Sequence, residues 1–114
     1  MAIHVVLDCA DPERLAEFWS KALGYTVAGF AEQWGMLNGP REGDVLLLQK
    51  VPEPKTGKNR MHIDIVASDI ESKVSELEGL GAQRLSGAKP LHQFKSEWIV
   101  MADPEGNEFC VCKG

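Results

Sequence analysis

Residues 3–9 (Ile-His-Val-Val-Leu-Asp-Cys) are a short run rich in β-branched and apolar types, which predicts a buried strand. Asp11-Pro12-Glu13 carries the marks of a helix start: a capping carboxylate, a proline at the first helical position and an acid in the positive first turn. Leu15, Phe18, Trp19, Ala22 and Leu23 then recur at helical spacing and make one apolar stripe, which Gly24 stops. Strands are predicted near 25–31, 34–38 and 44–51, separated by the turn formers Asn38-Gly39-Pro40 and Glu42-Gly43-Asp44. A polar, turn-rich stretch from Pro52 to Arg60 interrupts the pattern, and the pattern then begins again. Residues 61–67 predict a strand, and Ser68-Asp69 cap a helix with Ile70, Val74, Leu77 and Leu80 on one face. Gly81 closes that helix, strands follow near 82–86, 97–102 and 107–112, and residues 87–96 read as a loop.

The restart is an internal repeat. His4 and His62 are offset by 58 residues, as are Asp11 and Asp69, while Leu23-Gly24 and Leu80-Gly81 are offset by 57. Each half reads strand, helix, then two or three strands. The predicted class is therefore α+β: module one over 1–52, a connector over 53–60 and module two over 61–114, each with a helix on the outer face of its sheet. The two uncovered sheet faces are expected to cover each other or to enclose a cleft.

Alternation along the strands sorts the side chains. Ile3, Val5, Leu7 and Cys9 are expected to pack on the helix stripe, which leaves His4, Val6 and Asp8 on the concave face. In module two, Met61, Ile63 and Ile65 turn to the helix, and His62, Asp64 and Val66 turn away. On the last strand Phe109 and Val111 face the helices, with Glu108, Cys110 and Cys112 on the other side. His4, His62, Gln49 and Cys110 together supply the nitrogen, oxygen and sulfur donors of a divalent-metal site. Asp8 and Asp64 suit either the orientation of a histidine ring or acid–base work, and Glu108 is a second proton-transfer candidate. Trp34, Met36 and Trp98 suit an apolar or aromatic ligand, or equally an ordinary core or interface. Lys55, Lys58 and Arg60 read as a solvated linker or the guard of an anionic entrance, and His92 as a residue of the 87–96 loop.

Composition narrows the classes. The 114 residues suit one ordinary domain, and 44% hydrophobic with 25% charged residues is a globular balance. A net charge of −5 disfavours a nucleic-acid partner, which calls for a clustered basic face. There is no apolar run long enough for a membrane helix, and Met1-Ala2-Ile3-His4 does not open as a secretory signal. Three cysteines, an odd number, suit reduced thiols and a cytoplasmic setting.

Three segments carry a resemblance: Asp11-Pro12-Glu13-Arg14-Leu15-Ala16-Glu17-Phe18-Trp19 with Leu23-Gly24-Tyr25, then Lys58-Asn59-Arg60-Met61-His62-Ile63-Asp64, then Asp103-Pro104-Glu105-Gly106-Asn107-Glu108-Phe109-Cys110. With the repeat, they resemble the glyoxalase/bleomycin-resistance (vicinal oxygen chelate) superfamily, in particular its small glyoxalase-like domain proteins, over essentially the whole chain. The resemblance implies two βαβββ modules, each curled into an open half-barrel, commonly assembled as a homodimer. Enzymes of the group hold Zn, Ni, Fe or Mn through first-strand and last-strand residues of each module, and the metal holds two neighbouring oxygens of a small substrate. The first-strand ligands fall on His4 and His62, the last-strand ligand of module two on Cys110, and that of module one near Gln49 or Leu47. Family enzymes with two glutamates, or with two histidines and a carboxylate, differ here, because neither last-strand position is acidic. The expected function is small-molecule binding between the modules, with a metal-dependent, lyase- or isomerase-type proton transfer moved by Asp64 or Glu108. The alternative is a metal-free binding or resistance protein of the bleomycin-binding type.

Overall fold

The computed structural model describes residues 4–59, 62–86, 89–90 and 97–113, and the chain divides into two compact units, Met1–Pro54 and Lys55–Gly114. The first runs β1 (Val5–Cys9), α1 (Pro12–Leu23), β2 (Thr26–Ala31), β3 (Trp34–Asn38) and β4 (Val45–Lys50). Its sheet has the order β1-β4-β3-β2, with β1 parallel to β4 and the other pairs antiparallel. The second runs β5 (Ile63–Ala67), α2 (Ile70–Gly79), β6 (Gln83–Arg84), β7 (Lys89–Pro90), β8 (Glu97–Ala102) and β9 (Glu108–Lys113). Its sheet repeats the plan as β5-β9-β8-β6, with β5 parallel to β9, and β7 adds a short pairing to β8. The architecture is α+β, two mixed sheets each with one helix. The expected 87–96 loop contains β7; His92, Arg60, Met61 and Ile3 lie outside the described residues.

Local chemistry accounts for both helices. Asp11 caps α1 by accepting from the Arg14 backbone N–H at 3.2 Å, and Asp69 caps α2 by accepting from that of Ser72 at 3.1 Å. Gly24 ends α1 at φ 72°, a left-handed conformation that lets its N–H reach the Ser20 carbonyl. Gly81, at φ 109°, turns the chain just past α2. Leu15, Ala16, Phe18, Trp19 and Ala22 are buried, and the Phe18 and Trp19 rings meet edge-on at 5.2 Å. In the second unit Ile70, Val74 and Leu77 of α2 are buried with Ile65, Ile99, Met101, Phe109 and Val111, which the register puts on one sheet face. No helix among the described residues is long and apolar enough to cross a membrane.

One expectation changes. β1 is an edge strand of its sheet, and α1 packs over β2, β3 and β4. Cys9 is buried, but Val5 is exposed rather than packed on the helix stripe.

A single carboxylate shapes the β8–β9 turn. Asp103, 4% exposed, accepts from the backbone N–H of Glu105 at 2.8 Å and of Asn107 at 2.9 Å, and from the Asn107 side-chain amide at 2.8 Å. The Asp103 N–H donates to the Asn107 carbonyl and the Gly106 N–H to the Asp103 carbonyl. The turn thereby starts β9 so that Ala102 pairs with Glu108 and Val100 with Cys110.

Replacing Asp103 by Ala strands those donors, and urea unfolding should show a loss of about 2 kcal/mol. Gly24→Ala should cost about 1 kcal/mol, because the cap needs a left-handed residue. Gly79→Ala, where an added methyl meets nothing within 4 Å, should instead stabilise α2 by about 0.5 kcal/mol.

Candidate functional site

The repeat can be read residue against residue from the strand pairings. β1 and β5 start 58 residues apart, and the N-caps Asp11 and Asp69 share that offset. On the sheet face away from each helix, the first unit has a row Val6–Leu47–Met36 and a second row Asp8–Gln49–Trp34. The matching rows of the second unit are Asp64–Cys110–Val100 and Val66–Cys112–Trp98. His4 and His62 each lie one residue before the first strand of their unit. Cys110 therefore corresponds to Leu47, and Gln49 corresponds to Cys112, two residues further on.

Three of the expected site residues meet in the second unit. The nearest donor atoms of His62, Asp64 and Cys110 all lie within 4.8 Å of one another. β5 sends His62 and Asp64 to the same side by its two-residue period, and the parallel register brings Cys110 of β9 opposite Asp64. His62 Nε2 lies 3.1 Å from Asp64 Oδ1. Cys110 is 5% exposed beneath the more open His62 and Asp64. The 3.1 Å contact suits the ring-orienting role expected of Asp64, and its oxygen also lies close enough to Cys110 to join the donor group.

Glu108 begins β9, and the connector reaches it. Lys58 Nζ donates to Glu108 Oε1 at 2.8 Å, Lys55 Nζ lies 3.7 Å from Oε2, and the Asn59 amide donates to the Glu108 backbone carbonyl at 3.2 Å. The Lys58 hydrogen bond, opposed by partial burial and reinforced by the two lysine charges, holds the Glu108 carboxyl below the ordinary carboxylate range. The same hydrogen bond raises Lys58. Lys55 and Lys58 thus serve one carboxylate, a partnership that linker composition does not reveal.

In the first unit His4 and Asp8 are exposed, and Gln49 and Trp34 half-buried. Trp34 also borders an open depression of about 340 Å³ with Pro12, Glu13, Phe30, Glu32 and Lys50. Val6 and Met36 of the first unit and Val66 of the second, 68% exposed, leave apolar surface on the helix-free faces. Trp98 is half-buried and pairs with Cys112. Cys9, Cys110 and Cys112 are all buried, and none is disulfide-bonded.

Comparison with known proteins agrees with this architecture. The glyoxalase-like domain model matches residues 4–112. No curated protein matches the chain. Among solved structures, a glyoxalase/bleomycin resistance protein/dioxygenase family enzyme from Burkholderia phytofirmans PsJN superposes with a TM-score of 0.77 at 13% identity, over 96% of this chain and 95% of that one. A glyoxalase/bleomycin resistance protein/dioxygenase from Nocardioides gives 0.77 at 19% identity, over 99% and 82%. A genomically encoded fosfomycin resistance protein from Listeria monocytogenes gives 0.79 at 13% identity, over 100% and 93%. At these identities the likeness is one of fold. With the family model spanning nearly every residue and the duplicated strand–helix–strand plan beneath it, the chain belongs to the glyoxalase-like domain family.

Proposed function

We propose that this protein binds a small organic molecule against the helix-free face of its second sheet and, with a divalent metal held there, promotes proton transfer next to a carbonyl. The observation that supports this reading is the convergence of His62, Asp64 and Cys110. Donors around a tetrahedral zinc ion stand about 3.3–3.8 Å apart, so small side-chain rotations bring three groups already within 4.8 Å onto one centre. Imidazole nitrogen, carboxylate oxygen and thiolate sulfur are all ligands such ions accept. A bound divalent ion polarises a substrate oxygen and stabilises the negative charge that develops on it.

The chain's own groups supply the rest. The 3.1 Å contact of Asp64 Oδ1 with His62 Nε2 holds the two donors side by side, and an arriving ion would take its place. Glu108, ionised at neutral pH and made less basic by Lys58 and Lys55, is the carboxylate that would receive the proton and readily return it. Val66 and Trp98 offer apolar contact to the substrate body beside those polar groups. A second reading, metal-free sequestration of an apolar compound, draws support from the exposed Val6, Met36 and Val66. The fold shared with a fosfomycin resistance protein suits either reading.

Elemental analysis after incubation with Zn²⁺, Ni²⁺ or Fe²⁺ and desalting should return close to one equivalent per chain. His62→Ala should lower the affinity by at least roughly tenfold while circular dichroism stays unchanged. Failure to retain any ion would discard the metal-assisted reading. Tight quenching of tryptophan fluorescence by aromatic compounds in metal-free protein would then favour the binder.

A further inference from the structure

At the end of the first sheet, where β4 stops, β2 turns into β3 and α1 begins, Pro12, Glu13, Phe30, Glu32, Trp34 and Lys50 border the open depression of about 340 Å³. We propose that this depression binds a small organic ammonium ion, with the alkyl groups on its nitrogen against Phe30 and Trp34 and its charge facing Glu13 and Glu32. The site lies within the first unit and shares no residue with the His62 group, so it stands or falls apart from the metal reading.

Strand register supplies the aromatic walls. Phe30 of β2 pairs with Gly35 of β3, and Ala31 with Trp34. Because Gly35 has no side chain, the Phe30 ring settles over its backbone. A Cβ added at Gly35 would stand 3.0 Å from Phe30 Cε1 and 3.6 Å from Pro12 Cβ. Phe30 is therefore held on the side of the sheet where α1 begins, yet it stays 46% exposed. Trp34 is half-buried beside it. Aromatic faces attract a cation through their electron-rich surface, indole most strongly, and they need no hydrogen-bond donor from the ligand. The volume is at the small end for ligand pockets, which limits the occupant to a compact molecule.

The charges select the sign of the ligand. Glu13 and Glu32 are exposed, and no ion pair among the described residues uses either of them or Lys50. An anion finds a poor seat at the start of α1: Pro12 has no N–H, and the Arg14 N–H already donates to the Asp11 carboxylate. Asp11, Glu13 and Glu32 also outweigh Lys50 around the depression. Glu32 stands in the β2–β3 turn at φ 54°, the one described non-glycine residue in the left-handed region. Glycine adopts that conformation without strain, so what glutamate adds at this position is its carboxylate.

Choline and its uncharged carbon isostere 3,3-dimethylbutan-1-ol separate charge from shape, because only the charged nitrogen gains from aromatic faces and carboxylates. Nuclear magnetic resonance of the isotope-labelled, full-length protein reads the site directly, with the Trp34 indole signal identified by its loss in Trp34→Phe. Choline should shift the Trp34 indole and Gly35 amide signals saturably, and the isostere should bind at least roughly threefold more weakly. Phe30→Leu and Glu32→Gln should each weaken choline by roughly threefold. Lys50→Gln, which removes a competing cation, should tighten it by about twofold. Glu32→Gly should weaken choline as Glu32→Gln does while raising the urea midpoint, a combination that a purely structural role for Glu32 does not produce. Equal affinity for choline and the isostere, Trp34 and Gly35 signals unmoved by choline at tens of millimolar, or choline affinity untouched by both Glu32 variants would overturn the inference. Saturable shifts of the same signals by benzoate, with choline silent, would overturn it in favour of an anion site.

Discussion

The Asp103 carboxylate is the constraint on which the second unit's chemistry depends. It gathers two backbone N–H groups and one side-chain amide of the Pro104–Asn107 turn, and so sets the residue at which β9 begins. Side chains alternate between sheet faces, so a slip of one residue in β9 would send Cys110 to the helix side and Phe109 and Val111 out of the core. Packing and site therefore share one register. The apolar residues that bury against α2 and the donors on the opposite face are two readings of the same strand.

Duplication gave the two units one lattice and different surfaces. Caps, helix stops and the parallel pairing of first and last strands recur, because each is needed to build a sheet with one covered face. The opposite face carries no such obligation. There the first unit has Val6, Leu47 and Met36 where the second has Asp64, Cys110 and Val100. Trp34 and Trp98, by contrast, occupy matching positions and give both faces an aromatic flank.

The connector contributes charge rather than packing. Lys58 and Lys55 reach Glu108, and Asn59 holds its backbone carbonyl, so a polar segment is pinned to the start of β9. The pairing keeps Glu108 anionic at the start of β9 and sets two ammonium groups beside it. Cys110 brings a thiol rather than a carboxylate to β9, and the nearest β9 carboxylate, Glu108, lies two residues earlier in chain order, tied to lysines.

The amino-acid sequence by itself determined the elements and their duplication. Asp11-Pro12 and Asp69 start helices, Gly24 and Gly81 end them, and apolar periodicity assigns each strand its covered face, because these signals act between residues close in the chain. It also put His62 and Cys110 in one donor set, with His4 and Gln49, but did not group Asp64 with them. That grouping, the match of Cys110 to Leu47 rather than Gln49, and the capture of Glu108 by Lys58 were decided only by the tertiary structure. Each depends on the register between strands, or between strand and connector, dozens of residues apart, and no local spacing encodes that distance.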